Sequence, residues 1–249
     1  MRKWAALCAA LLCAGCVTTE PVAFRPTSNQ QAVIRDGSPA IVSTKPSSIV
    51  IARPAARQLQ IGERPVFVLG IYNRSNVPQE FRISNVQVTQ VVNGEAAPLK
   101  VITYEELVQE EHTRQMFVAV ATGLAAGANA YSASRAGYYN ASSTVYTPHG
   151  MYNVQTTGYS PAAAAIAQQN AASQNAEMIS ATIEHGQANL VNLERAVIKD
   201  DTLMPGEWYG GQLHIAPLVS GNSAEKTYTI VVQVGSDRHE LNVVQGGKQ

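Results

Sequence analysis

Hydrophobic and polar residues alternate with a period of two in two separate parts of the chain, a pattern that predicts half-buried β-strands. The first part covers residues 48–103 and the second covers residues 202–243. The clearest alternation is that of Tyr228, Ile230, Val232 and Val234. Because turn residues such as Pro and Gly separate the predicted strands, we expect an antiparallel β-sandwich over residues 48–249.

The predicted strand over residues 80–92 contains one change of phase. Its apolar residue Phe81 lies at an odd position, whereas Val86 and Val88 lie at even positions. A regular strand puts alternate residues on one face, so these side chains cannot share a face without an irregularity. We therefore expect a bulge or a break near Ser84.

A helical pattern separates the two groups of strands. Thr103 and Glu106 have the spacing of a capping box, in which each side chain bonds the backbone amide of the other residue. Ser160 followed by Pro161 suits the N-cap and first turn of a second helix. The sequence thus predicts two long helices that form a hairpin at residues 103–199, inserted into the sandwich.

Side-chain size changes in opposite directions along the two predicted helices. The first helix has large residues at its start and Ala and Gly at its end, and the second has the reverse order. Antiparallel packing places small residues against small ones, and Gly123 and Gly127 are the predicted sites of closest helix packing. The facing stripe of the second helix is expected to contain Ala165, Ala172, Ala176, Ile179, Ile183, Gly186, Leu190, Leu193 and Val197.

A turn signal precedes the predicted strand that begins at Trp208. Pro205 and Gly206 suit the two central positions of a type II turn. The stretch of residues 201–211 resembles the turn and strand of Ig-like domains found in bacterial envelope proteins. The expected fold is therefore α+β: an antiparallel Ig-like β-sandwich with an inserted, long, Ala-rich antiparallel helical hairpin.

The N-terminal residues have the parts of a secretory signal, with Arg2 and Lys3 before an apolar run at residues 4–12. A resemblance to the lipobox of bacterial lipoproteins is carried by Cys13, Ala14, Gly15 and Cys16. This resemblance implies that a signal peptide of residues 1–15 is removed and that acyl chains, such as palmitate, are attached to Cys16. The alternative is an ordinary signal peptide with incidental cysteines.

Cys16 is then the one cysteine left in the mature chain. An isolated thiol in a secreted protein needs an explanation, and acylation provides one. By resemblance to the sorting rules of enterobacterial lipoproteins, Val17 in place of Asp implies the outer membrane, with the protein facing the periplasm. Four prolines and many polar residues predict a tether over residues 16–47, with an edge strand at residues 32–34 or 40–42 as the alternative.

Charge and motifs exclude several functional classes. The chain contains 18 basic and 18 acidic residues, and this balance argues against nucleic-acid binding, for which a clustered basic surface would be expected. The five histidines are dispersed, and the sequence has no serine-hydrolase or nucleotide-binding motif. We therefore expect no catalytic residue, no metal, no cofactor and no enzymatic activity.

The middle of the chain is almost without charge. In the 62 residues of 115–176, Arg135 is the only Asp, Glu, Lys or Arg. The predicted loop between the helices, residues 136–159, contains five of the ten tyrosines: Tyr138, Tyr139, Tyr146, Tyr152 and Tyr159. Tyr among Ser, Gly and Asn is typical of binding loops.

These features predict a lipid-anchored cell-envelope protein with a binding or assembly role. It is expected to contact the membrane through its acyl anchor, and to dock a protein partner or itself through the helical hairpin and the Tyr-rich loop. The second expectation is a membrane-active or pore-lining component formed by association of hairpins. A solvated hairpin without a partner is the remaining alternative.

Overall fold

The computed structural model describes residues 19–35, 37–148, 150–216 and 225–246. The predicted signal peptide at residues 1–15 and the expected lipid attachment at Cys16 lie outside the described residues. The chain divides into two compact units, one formed by Met1–Leu107 and Leu193–Gln249 and the other by Val108–Asn192. The fold is α+β, with mostly antiparallel sheets and two long helices.

The first unit contains two antiparallel sheets. The larger has the order β13 (Asp201–Leu203), β7 (Gln79–Phe81), β15 (Lys226–Val234), β16 (Asp237–Gln245), β1 (Thr19–Arg25) and β5 (Gln58–Gln60). In the same sheet, β15 also pairs with β8 (Gln87–Val92), which pairs with β9 (Glu95–Leu99). The smaller has the order β10 (Val101–Ile102), β14 (Trp208–Ile215), β6 (Val66–Asn73), β4 (Ser48–Pro54), β3 (Ser38–Thr44) and β2 (Gln30–Arg35).

Alternate residues of these strands bury their side chains in one apolar core. Burial alternates strictly along β4, β6 and β15. Both sheets contribute to the core, which includes Phe67, Leu69, Ile71, Leu213, Ile215, Ile230, Val232 and Leu241. Two sheets that bury their inner faces in a common core form a sandwich-like unit, as the period of two predicts.

The predicted tether over residues 16–47 is wrong for the part of it that the structure describes. Residues 19–44 contain β1, β2 and β3. The alternative of an edge strand is confirmed for residues 32–34, which lie in the edge strand β2, whereas residues 40–42 lie in β3, which is paired on both sides. In β1 the buried residues are Glu20, Val22 and Phe24. The sequence did not reveal the alternation of buried and exposed residues in β1, because a carboxylate normally indicates a solvent-facing position and Glu20 is buried.

Two local predictions in the first unit are confirmed. A 3-10 turn at Ile83–Asn85 separates β7 from β8, at the place where the hydrophobic phase changes. Gly206 has a φ of 78°, and the Glu207 amide donates to the Met204 carbonyl over 3.0 Å, as a type II turn requires.

The second unit contains most of α1 (Tyr104–Arg135) and α2 (Pro161–Ala196). The capping box of α1 is confirmed, since the Glu106 amide donates to Thr103 Oγ1 over 3.3 Å and the Thr103 amide donates to Glu106 Oε2 over 3.2 Å. The Ala163 amide donates to Ser160 Oγ over 3.3 Å, so Ser160 caps α2 as predicted. Local sequence signals therefore place both helix starts correctly.

The predicted loop at residues 136–159 is wrong. This segment forms β11 (Tyr138–Thr147) and β12 (Gly150–Tyr159), two antiparallel strands whose register runs from Tyr138 opposite Tyr159 to Thr147 opposite Gly150. We call them the β-hairpin. Tyr, Thr and Val favour strands, but the many Ser, Asn and Gly residues between them hid that preference.

Candidate functional site

The two helices meet along a seam of polar and small side chains. Thr122 Oγ1 lies 3.2 Å from Thr182 Oγ1. Further along, Asn129 Nδ2 donates to Asn175 Oδ1 over 3.1 Å, and Asn175 Nδ2 donates to the Ala126 carbonyl over 3.1 Å. Hydrogen bonds made by Thr and Asn side chains, rather than large apolar contacts, therefore join the middle of the two helices.

A buried carboxylate continues this seam. Glu111 accepts hydrogen bonds from Arg114 over 2.6 and 2.8 Å, from Gln115 over 3.0 Å and from Asn189 over 3.4 Å. The bonds from Arg114, followed by those from Gln115 and Asn189, lower the pKa of Glu111 to about 2 despite its burial. Gln115 also donates to the Gly186 carbonyl over 3.0 Å. This cluster links both helices and fixes their register.

Large apolar side chains of the helices face outward. Phe117 is 73% exposed and Ile183 is 54% exposed. The same outward exposure is found for Met116, Val120, Leu124, Tyr131, Ile166 and Ile179. The helical hairpin therefore has an inverted arrangement, with polar groups in its seam and apolar groups on its surface. Large exposed apolar patches in proteins mark surfaces for protein or membrane contact.

The predicted close packing at Gly123 and Gly127 is wrong. Both residues are exposed, and a Cβ atom added to either would have no neighbouring atom within 4 Å. The close approach occurs instead at Gly186, where an added Cβ would lie 2.9 Å from the Gln115 side chain. The buried positions toward the start of α2 are Ala164 and Ala171, one residue before the predicted Ala165 and Ala172. Pairing of Thr and Asn side chains sets this register, which a stripe of apolar residues does not reveal.

The residues that were predicted for the seam but are exposed lie together on one side of the helical hairpin. The other side has a groove of about 250 Å³, which is lined by Arg114 and Ala181, the residues just before the seam residues Gln115 and Thr182. Since successive helix residues differ by about 100°, a residue after a seam position points away from that groove. We give the name apolar flank to the exposed residues on the side away from the groove: Met116, Gly123, Gly127, Ala172, Ala176, Ile179 and Ile183.

The five predicted binding tyrosines lie on the β-hairpin in two groups. Tyr138 and Tyr159 are opposite each other, with ring centroids 4.9 Å apart, and Tyr139 is next to them. Tyr146 and Tyr152 lie toward the other end of the strands. All five side chains are exposed. Tyr138, Tyr139 and Tyr159 line one shallow pocket, and Tyr146 and Tyr152 are not part of it.

One polar cluster in the sandwich was missed by the sequence reasoning. Ser48 Oγ donates to Asp237 Oδ2 over 2.7 Å and lies 2.8 Å from His239 Nε2, and His239 Nδ1 lies 3.0 Å from Ser43 Oγ. In a catalytic triad the carboxylate bonds the histidine, whereas here it bonds the serine. These residues are buried, and burial lowers the pKa of His239 to about 4. The cluster therefore satisfies buried polar groups of the core. The one sign of this cluster in the sequence is that Asp237 and His239 alternate in step with the apolar residue Leu241, which places all three on the same face of the strand.

Among the residues that the structure describes, no group of three or more His, Cys, Asp or Glu could hold a metal ion. By length and composition, α1 is apolar enough to cross a membrane. Its partner α2, however, exposes Gln168, Gln169, Asn170, Ser173 and Gln174. Such side chains are unfavourable against lipid, so the pair of helices fits contact with protein better.

Function has to be inferred from the helical hairpin and the β-hairpin themselves. No protein-family model, no curated protein and no solved structure matches this sequence.

Proposed function

We propose that this chain is a lipid-anchored protein of the bacterial outer membrane that assembles with further copies of itself through its helical hairpin. The observation that carries the proposal is the inverted arrangement of α1 and α2, whose hydrogen-bonding groups face the seam and whose large apolar groups face outward. Burying the apolar flank against a second copy removes Met116, Ile179 and Ile183 from water and leaves the polar seam intact.

The apolar flank suits a second copy because it is self-complementary. Gly123 and Gly127 leave open space above the α1 backbone, while Met116, Ile179 and Ile183 project from the same side. Projecting side chains of one copy can enter the open space of the other, and a two-fold axis then repeats each contact twice. The lack of Asp, Glu, Lys and Arg on this flank means that no charge has to be desolvated.

We also propose that the sandwich is Ig-like. This description is supported by the type II turn at Pro205 and Gly206, which leads directly into β14. The lipid anchor at Cys16 is supported by the lipobox-like residues before it. In this view the sandwich is a folded support, the acyl chains hold it at the inner face of the outer membrane, and the helical hairpin recruits further copies.

Replacing Ile183 by Glu should separate the copies without unfolding the chain. The side chain is already 54% exposed, so a charge there costs little in the monomer but has to be desolvated in the assembly. Light scattering of the full chain in mild detergent should show an oligomer for the natural protein, and for the variant a dissociation constant raised about thirtyfold or more.

Asn170 supplies the matched control for this experiment. It precedes the buried Ala171 on the same helix, is exposed, and points away from the apolar flank. Asn170→Glu should therefore keep the mass of the natural oligomer. A monomeric natural protein at tens of micromolar, or equal masses for Ile183→Glu and Asn170→Glu with both folded, would contradict the proposal. Capture of a different protein by the flank would replace self-assembly with partner docking.

A further inference from the structure

The β-hairpin has two unpaired edges. Within the part of the chain that the structure describes, β11 and β12 pair only with each other, and each strand is ten residues long. Half of the backbone N–H and C=O groups of each strand therefore face away from the sheet. An isolated two-stranded sheet is marginally stable in water, so such edges favour further pairing.

The sandwich protects its edges, and the β-hairpin does not. At the edges of the sandwich sheets, β5, β10 and β13 have only two or three residues. The edge strand β9 contains Glu95 and Pro98, and β2 ends at Arg35. Short strands, charges and prolines are the usual means of preventing edge pairing. By contrast, residues 138–159 contain no Asp, Glu, Lys or Arg, and Pro148 lies in the turn rather than in a strand.

The two faces of the β-hairpin differ in chemistry. Strand alternation and the register put the amides of Asn140, Asn153 and Gln155 on one face, where Thr144 Oγ1 also donates to Asn153 over 2.8 Å. The other face contains Ala141, Val145 and Val154, with Ser143 and Thr156 but no amide side chain. Alternation of a polar with a more apolar face is the pattern of strands that cross a membrane beside a water-filled interior.

The length of the strands matches the thickness of a membrane. Ten residues at about 3.4 Å each extend roughly 34 Å. At the usual strand tilt of about 40°, this corresponds to roughly 26 Å along the membrane normal, close to the apolar band of about 25 Å in membrane-spanning sheets. Tyr139 and Tyr152 lie on the face without amide side chains, toward the two ends of the β-hairpin, where such sheets place aromatic residues at both membrane surfaces.

We infer that the β-hairpins of several copies pair edge to edge and form one closed sheet that crosses the outer membrane, with its amide face toward a water-filled interior. The sheet has to be closed, because lipid offers no hydrogen-bond partner for the backbone groups of an unpaired strand edge. The inference rests on the proposed function, since self-assembly of the helical hairpins is what brings the β-hairpins of different copies side by side. The occupant of each free edge is thus the β-hairpin of the next copy.

Val154 and Gln155 allow a matched test, because they are neighbours on β12 that point to opposite faces. The full lipidated chain is added to liposomes of phosphatidylethanolamine and phosphatidylglycerol filled with self-quenched carboxyfluorescein. The natural protein should release the dye. Val154→Arg places a charge on the lipid face and should slow release by at least about tenfold, whereas Gln155→Arg faces water and should retain release. Both positions are exposed, so neither variant should unfold the chain.

The oligomer mass of each protein separates this inference from the proposed function. Oligomeric Val154→Arg with lost release supports the membrane-crossing sheet. An oligomeric natural protein that releases no dye, or Arg variants that behave alike, overturns the sheet and leaves self-assembly standing. A monomeric natural protein overturns both. Amide exchange gives a second measure, since exchange in β11 and β12 should slow by at least about tenfold on the liposomes if the edges pair.

Discussion

Replacing Lys226 by Met should lower the free energy of unfolding by about 3–5 kcal/mol. Lys226 Nζ donates to Glu20 Oε2 over 2.8 Å, and the two side chains are only 5% and 7% exposed. The substitution leaves the Glu20 carboxylate buried without its cation, which is among the most destabilising changes in a protein core. Urea denaturation followed by circular dichroism measures this free energy.

The surrounding contacts define the controls for Lys226→Met. Gln245 Nε2 also donates to Glu20 Oε2 over 2.8 Å, so the carboxylate is held from two sides. Removing both charges with Glu20→Leu and Lys226→Met should recover more than half of the lost stability. Arg25 and Glu225 form an exposed ion pair, and Arg25→Met should cost less than about 1 kcal/mol. Equal losses for Lys226→Met and Arg25→Met would mean that β1 is not part of the folded sandwich.

Replacing Cys16 by Ala should abolish the lipid attachment that we propose for this residue. The thiol is the only group at that position that can carry the thioether-linked diacylglycerol of lipoproteins, and no other cysteine remains after residue 16. The variant should accumulate as an uncleaved precursor or as a soluble form. Labelling of cells with a radioactive fatty acid, followed by membrane fractionation, measures both consequences.

Cys8 provides the control for Cys16→Ala because it lies in the apolar run of the expected signal peptide. Cys8→Ala should keep the acyl label and the membrane fraction. A Cys16→Ala protein that still incorporates fatty acid and still fractionates with membranes would contradict the lipobox interpretation. It would favour the alternative of an ordinary signal peptide.

The strands of the sandwich were predictable wherever apolar residues alone occupy the core positions. Residues 228–234 fulfil that condition, and β15 follows their alternation. The segment of residues 19–44 does not, because Glu20, Ser38 and Ser43 are buried polar residues. Their burial is possible only through partners far away in sequence, such as Lys226 for Glu20 and His239 for Ser43. A hydrophobicity pattern contains no information about such partners.

The hydrophobicity pattern is equally uninformative about part of the helical hairpin, where the candidate site lies. Its helices were predictable from capping residues and from the taper of side-chain size. Its seam was not, because the hydrogen bonds between Thr122 and Thr182 and between Asn129 and Asn175 place polar residues inside. The predicted stripe is displaced between residues 172 and 183, where Ala172, Ala176, Ile179 and Ile183 lie on the apolar flank, each one residue after a seam position. Gly186 and Val197 of the same stripe are buried, as predicted. The displaced residues form the surface for which we propose a second copy as the partner.

Site-specific photo-cross-linking in intact cells tests most directly whether copies assemble through the apolar flank. A photoreactive phenylalanine at position 116 replaces a large side chain of the apolar flank that is already 65% exposed, so it leaves the open space at Gly123 and Gly127 unfilled. The same group at position 170 points away from the flank and is the control. We predict a cross-linked band with twice the mass of the chain for position 116 and none for position 170. No such band at position 116, or equal bands at both positions, would contradict assembly through this surface.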